Sequence, residues 1–174
     1  LVKTAQRESN FDPSAKASTS SATGLFQFTS ETWLNMVERY GAKHGVKAEG
    51  LTREQLLDLR KDASLSATMA GELAGENGKI LAKKLGREAT SAELHAAHFM
   101  GPSDAARLIT AARSNTPGVA ADMFPRAALA NANVFKGADG TKLTPSQLYT
   151  KLTGIDVARA DAGRVAANFV PPPM

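Results

Sequence analysis

Three threonines most constrain what this chain can become. Thr52-Arg53-Glu54-Gln55, Thr90-Ser91-Ala92-Glu93 and Thr144-Pro145-Ser146-Gln147 each place a hydroxyl three residues ahead of a Glu or Gln, at the head of an apolar run. In such a box the hydroxyl accepts from the backbone N–H three positions on, and the longer side chain reaches back. Two orphan donors of a new helix are thereby satisfied from local sequence alone. Pro145 adds the residue that tolerates the first helical position best. Elsewhere apolar residues recur at helical spacing, and no alternating run of β-branched residues reads as a strand. No internal repeat is found. The expected fold is all-α, a single domain of about eight helices.

Leu1 to Asn10 reads as the end of a helix, stopped by Phe11-Asp12-Pro13 because a residue before proline is pushed out of α geometry. No N-cap residue precedes Leu1, so that helix is expected to start earlier in a longer protein. Thr29 or Ser30 should cap a helix through Trp33, Met36, Val37 and Tyr40, ended by Gly41. Asp62 should cap a long helix to about Leu85. Its wheel puts Leu65, Met69, Leu73, Glu76 and Ile80 on one face and Gly71, Gly75 and Gly78 opposite. Glycine inside a helix costs roughly 1 kcal/mol relative to alanine, so these three are expected to meet backbone packed tightly on them. The same wheel makes this the buried central helix, with Glu76 a carboxylate in an unexpected place. The next helix carries His95 and His98 and ends at Gly101-Pro102. Phe124-Pro125 breaks the pattern, and Gly137 to Gly140 reads as a turn. Residues 1–153 form the expected folded domain; 154–174 are expected to be a weakly amphipathic helix and the Pro171–Pro173 tail.

At 174 residues the chain can bury a real core. With no cysteine, disulfide frameworks and Cys-ligated zinc are excluded. No apolar window is long enough to span a membrane. A net charge of +4 suits an anionic partner, whether cell-wall polymer, nucleic acid or acidic membrane. Lys and Arg are scattered, with Lys83-Lys84 a basic doublet and no recognition-helix pattern, so nucleic acid is not expected.

Glu8 carries the chemical interest. On the first helix Leu1, Ala5 and Glu8 share a face, while Lys3, Arg7 and Asn10 point away. A carboxylate on the apolar stripe is desolvated, which favours its protonated form, the state a general acid needs. The alternative is a helix-end Glu that reaches water or pairs with Arg7. The polar stretch Ser14 to Thr23 is either a loose connector or a row of donors along a polar ligand. Gly24 permits close backbone approach.

Glu8-Ser9 followed by Gly24-Leu25-Phe26-Gln27 resembles the SLT-type lytic transglycosylases, a goose-type lysozyme-like family. The likeness is strongest to a branch shared by proteobacterial cell-wall enzymes and large-phage endolysins. Ser20-Ser21-Ala22-Thr23-Gly24, Ala97-His98-Phe99-Met100-Gly101, Phe124-Pro125, Asn133-Val134-Phe135 and the Leu148-Tyr149 helix match that branch, so the resemblance runs from Leu1 to about Leu152. Two departures stand out. His98 falls where most of the family has a tyrosine, and only Gly71 survives of the central-helix signature.

The resemblance implies cleavage of the β-1,4 bond between N-acetylmuramic acid and N-acetylglucosamine in peptidoglycan, in the periplasm or cell envelope. Glu8 would protonate the leaving oxygen, then accept the proton of the muramic C6 hydroxyl as a 1,6-anhydro ring closes. No second acid is expected to assist: Asp12 is better read as ending the helix, and one Glu suits assistance by the 2-acetamido group. Ser9, Ser20, Ser21, Gln27, Glu76, His95, His98 and Phe99 are the expected substrate-binding residues, with Glu76 meeting the two histidines on one cleft. Phe28 and Trp33 read as core and Tyr149 as packing. His95 and His98 lack the spacing and third ligand of a zinc site, so no metal and no cofactor are expected. The expected partner is the glycan strand, and the expected state is a monomer. A hydrolytic muramidase using the same Glu8, or a wall-binding module of low turnover, are the competing readings.

Overall fold

A computed structural model describes residues 1–18 and 20–156. The expected tail helix and proline run beyond residue 156 lie outside the described residues. All regular elements among the described residues are helical, as the capping boxes require. Three pairs of residues form isolated β-bridges, two of them in the loop after the first helix. The chain divides into two compact units, Leu1–Glu76 and a second that begins at Asn77.

The first unit holds α1 (Val2–Ser9), α2 (Ser30–Tyr40), α3 (Arg53–Asp58) and the first part of α4 (Ala63–Leu85). Thr29 caps α2 by accepting from Thr32 N–H, and Thr52 and Gln55 close a full capping box on α3. Helix α2 ends at Tyr40 with Gly41 as its cap, as expected, but Gly41 is not left-handed. It stays right-handed, the chain runs on as a 3-10 turn over Ala42–His44, and Gly45 at φ 81° makes the stop. Asp62 Oδ1 accepts from Leu65 N–H at 2.8 Å and starts α4. The core gathers Ala5, Phe26, Phe28, Trp33, Met36, Val37, Met69 and Ala70. Phe28 meets Trp33 edge-on at 5.3 Å, and the indole N–H donates to Leu56 O at 2.7 Å. Both aromatics are therefore core, and the indole's polar edge is satisfied.

The second unit holds the end of α4, then α5 (Ser91–Met100), α6 (Pro102–Arg113), α7 (Ala120–Met123), α8 (Pro125–Ala130) and α9 (Pro145–Thr153). Thr90 with Glu93 and Thr144 with Gln147 form the remaining two boxes. Leu108, Ile109, Phe124, Leu148 and Tyr149 anchor its core. Glu93 is fully buried there, bonded to Arg87 at 2.5 and 2.8 Å and to Thr90 N–H at 2.9 Å. Burial pushes its carboxyl up, but the Arg87 and Thr90 bonds and the charges of Arg87 and Arg113 outweigh that and hold it at about 2.

Helix α4 corrects the wheel. Its buried residues are Ser66, Met69, Ala70, Asn77 and Leu81, whereas Ile80 is exposed. A side chain added at Gly71 would reach only Leu1 Cδ1 at 3.9 Å, at Gly78 only Leu94 Cδ2 at 3.6 Å, and at Gly75 nothing within 4 Å. No backbone presses on these glycines among the described residues. Periodicity shows which residues share a face, not what that face meets.

Candidate functional site

Helix α1 carries Glu8 and Ser9 on its last turn. Ala5 is buried at 2% exposure, and Glu8 and Ser9 are half-buried beside it. Leu1, expected on the same stripe, is 56% exposed, because it precedes the first helical turn and the core reaches only as far as Ala5. The helix closes through Asn10, left-handed at φ 51°, and Phe11 follows at φ 64°. Asp12 then accepts from Ser14 N–H at 2.8 Å and Ser14 Oγ at 2.7 Å. The Ser14 hydroxyl and N–H hold the Asp12 carboxyl below its ordinary range. It is an ionised turn former, not a proton donor.

Residues 14–18 and 20–28 are built structure rather than a loose connector. Gly24 N–H donates to Ala15 O at 2.8 Å, Ala17 N–H to Ala22 O at 3.0 Å, and Thr23 N–H to Phe28 O at 3.1 Å. Thr23 forms bridges with both Lys16 and Phe28. A Cβ on Gly24 would lie 2.3 Å from Arg60 O, and its φ of 84° is one that side chains resist. Glycine is thus obligatory at the head of this motif. Gln27, itself left-handed at φ 49°, donates from Nε2 to Gly24 O at 2.9 Å and Ala15 O at 3.1 Å. Its amide nitrogen braces the loop, which leaves the amide oxygen as the group it can offer outward.

Two contacts fix this loop in place. Ser9 Oγ lies 2.9 Å from Leu25 O and 3.2 Å from Ala5 O, so its hydroxyl tethers the helix that carries Glu8 to the Gly24–Gln27 turn. Arg60 is the second, and sequence reasoning missed it. Only 8% exposed, it donates from Nη1 to Ser21 O at 2.7 Å and Phe28 O at 3.1 Å, and from Nε to Leu57 O at 2.9 Å. Burial lowers its pKa and Asp58 opposes the drop, but a guanidinium keeps its proton and all its donors. The available signal was an arginine set among Leu56, Leu57 and Leu59, where a solvated residue is not expected.

Ser20 and Ser21 are exposed and each hydroxyl accepts a local bond: Ser20 from Ala22 N–H at 3.2 Å, Ser21 from Ser30 N–H at 3.1 Å. The first of these shapes the loop, and the second helps cap α2. Glu76 is engaged within the first unit. Arg39 Nη1 donates to its Oε2 at 2.8 Å and Tyr40 donates to its Oε1 in a short bond. That bond, with burial and the carboxylate charge, pushes the Tyr40 phenol up and keeps it a neutral donor. Next along α4, Glu72 takes Lys43 at 2.6 Å and His44 at 2.8 Å, and these bonds lower its carboxyl. His95, His98 and Phe99 are half-buried on α5 in the second unit. Among the described residues no group of three or more His, Cys, Asp or Glu is placed to hold a metal ion, and no helix is long and apolar enough to cross a membrane.

An open pocket of about 480 Å³ in the first unit is lined by His44, Val46, Lys47, Leu59, Leu65 and Thr68, among others, and shares no lining residue with the motif loop. Backbone conformation marks the motif segments instead. Among the described residues the non-glycine residues with positive φ are Asn10, Phe11, Gln27 and Asn115, and the first three lie in or directly after the two motifs. Such strain survives only where surrounding structure over-determines it, and it concentrates at functional sites.

Residues 1–82 match the family described as the transglycosylase SLT domain. The match spans α1, α2, α3 and most of α4, and so covers Glu8, Ser9, Gln27 and Arg60, while His95, His98 and Phe99 on α5 lie beyond it.

Proposed function

We propose, from the match of residues 1–82 to the transglycosylase SLT domain family, that this chain is a lytic transglycosylase acting on peptidoglycan in which Glu8 is the one catalytic acid. Glu8 protonates the oxygen leaving between N-acetylmuramic acid and N-acetylglucosamine. As carboxylate it then takes the proton of the muramic C6 hydroxyl, which closes on C1 as the 1,6-anhydro end. The 2-acetamido oxygen steadies the developing cation, which removes the need for a second enzyme carboxylate. Residues 1–153 constitute the catalytic domain in this reading, and the cell envelope is where it acts.

The observation that carries the reading is the Ser9–Leu25 bond. It joins the turn bearing Glu8 to the loop bearing Gln27, residues separated by 19 positions in sequence. Two further features support it: Glu8 is half-buried beside the Ala5 core contact, and Asp12 is committed to Ser14. Ser9 acts by holding α1 against the loop, and Gln27 offers its amide oxygen to the glycan. Ser20 and Ser21 retain hydroxyl protons for sugar oxygens. Glu76, His95, His98 and Phe99 are assigned to substrate contact on the family motif alone.

The test is digestion of purified sacculi followed by mass spectrometry. Wild type should release muropeptides one water lighter than hydrolysed ends. Glu8→Gln should lose about 10²–10⁴ in rate while keeping its melting temperature. Hydrated reducing ends would make the protein a muramidase, and an undiminished rate from Glu8→Gln would remove Glu8 from the chemistry.

A further inference from the structure

Among the described residues four non-glycine residues have positive φ, and in three of them the side chain accounts for it. Asn10 closes α1 with its N–H on Gln6 O at 3.0 Å, and asparagine tolerates that conformation. Asn115 follows α6 with its N–H on Ala112 O at 3.1 Å. Gln27 is held by the two Nε2 bonds described above. Phe11 N–H closes on Ala5 O at 3.4 Å, but its side chain, unlike theirs, supplies nothing that favours the conformation. A bulky side chain at φ 64° is an outlier, and this one is 49% exposed and a member of neither buried cluster. In the free protein the ring is both strained and wet. It is nevertheless held from both sides, by the cap of α1 before it and by the Asp12–Ser14 turn and Pro13 after it. It stands three residues beyond Glu8.

We propose that Phe11 is a sugar platform, on which a pyranose ring of the glycan strand stacks beside the bond that Glu8 protonates. A pyranose shows one face of C–H groups with its hydroxyls around the rim. The electron-rich face of a phenyl ring attracts those C–H groups and excludes water from them. Mounting the ring on a strained, doubly anchored backbone pre-orients it, so little freedom is lost when sugar arrives. The conformation that burdens the empty protein is thereby matched to the loaded one. This inference rests on the reading of Glu8 as the acid.

Phe11→Gly and Phe11→Trp separate a platform from a structural residue. Glycine relieves the positive φ, so the melting temperature of Phe11→Gly should stay level or rise, while KM for soluble uncrosslinked glycan rises roughly five- to tenfold. Phe11→Trp keeps a flat apolar face and should restore KM. A wild-type KM in Phe11→Gly overturns the proposal, and so does a KM loss that tryptophan fails to rescue. Calorimetric titration of the same glycan into Glu8→Gln, with and without Phe11→Gly, reads the contact without turnover. Equal affinities there overturn the platform even if cleavage is normal. If wild type cleaves nothing but the affinities differ by the stated factor, the Glu8 reading falls and the platform stands.

Discussion

Arg60 offers the sharpest test of how the motif loop is held. Replacing it with methionine keeps the length and apolar stem but removes three donors, those to Ser21 O, Phe28 O and Leu57 O. Bonds from a charged donor are each worth about 1.5–3 kcal/mol. Against that sum stands the several-kcal/mol cost of holding a cation at 8% exposure. The expected net loss is about 3–5 kcal/mol, three charged bonds less that desolvation cost. At about 2–4 °C per kcal/mol for a chain of this size, the transition should fall by roughly 10 °C. Trp33 is the only tryptophan and sits at 0% exposure in the first core, so its fluorescence follows this unit. Sacculus digestion should weaken in parallel, because the loop that Ser9 and Gln27 build on loses its anchor. Arg60→Lys should fall between the two, since an ammonium keeps the charge but cannot span three carbonyls. A shift under about 2 °C in Arg60→Met would refute the reasoning, and full stability in Arg60→Lys would show that charge and not the fork is what matters.

Two further outcomes are expected in stability rather than activity. The Glu93 carboxyl is held at about 2 against an ordinary 4.5. Because the folded value is depressed, its contribution is full above pH 4.5 and is lost as pH falls from there towards 2. The difference is worth about 3 kcal/mol, so Glu93→Gln should flatten the acid limb of a urea-unfolding series between those pH values. Ser66, at 0% exposure, has a hydroxyl without a hydrogen-bond partner among the described residues. Ser66→Ala should raise stability by about 1 kcal/mol, seen as a small upward shift in melting temperature.

Which parts of the molecule were legible in advance follows from the range of the interactions involved. A capping box works over four residues, so Thr52, Thr90 and Thr144 could be read as helix starts and are so in the structure. The residues of the Glu8-Ser9 and Gly24–Gln27 motifs were equally readable. Their mutual contact was not, because Ser9 Oγ reaches a carbonyl sixteen residues away. The partners of Arg60 were invisible for a stronger reason. Its side chain binds three backbone oxygens, and main-chain carbonyls carry no sequence signature. Glu76 was visible as a misplaced carboxylate, but its partners Arg39 and Tyr40 lie about ten turns of chain away, and nothing local selects them.

Taken alone, the order of residues determined the helical class, most helix ends and the identity of the acid-bearing motif, since each depends on neighbours along the chain. Tertiary structure decided that Ala15, Ala17, Ala22 and Gly24 brace one another across a loop, that the α4 glycines meet no backbone among the described residues, and that Phe11 stands strained in water. These depend on which distant groups come to share a boundary. A periodic pattern can specify a face, but only packing determines what that face touches.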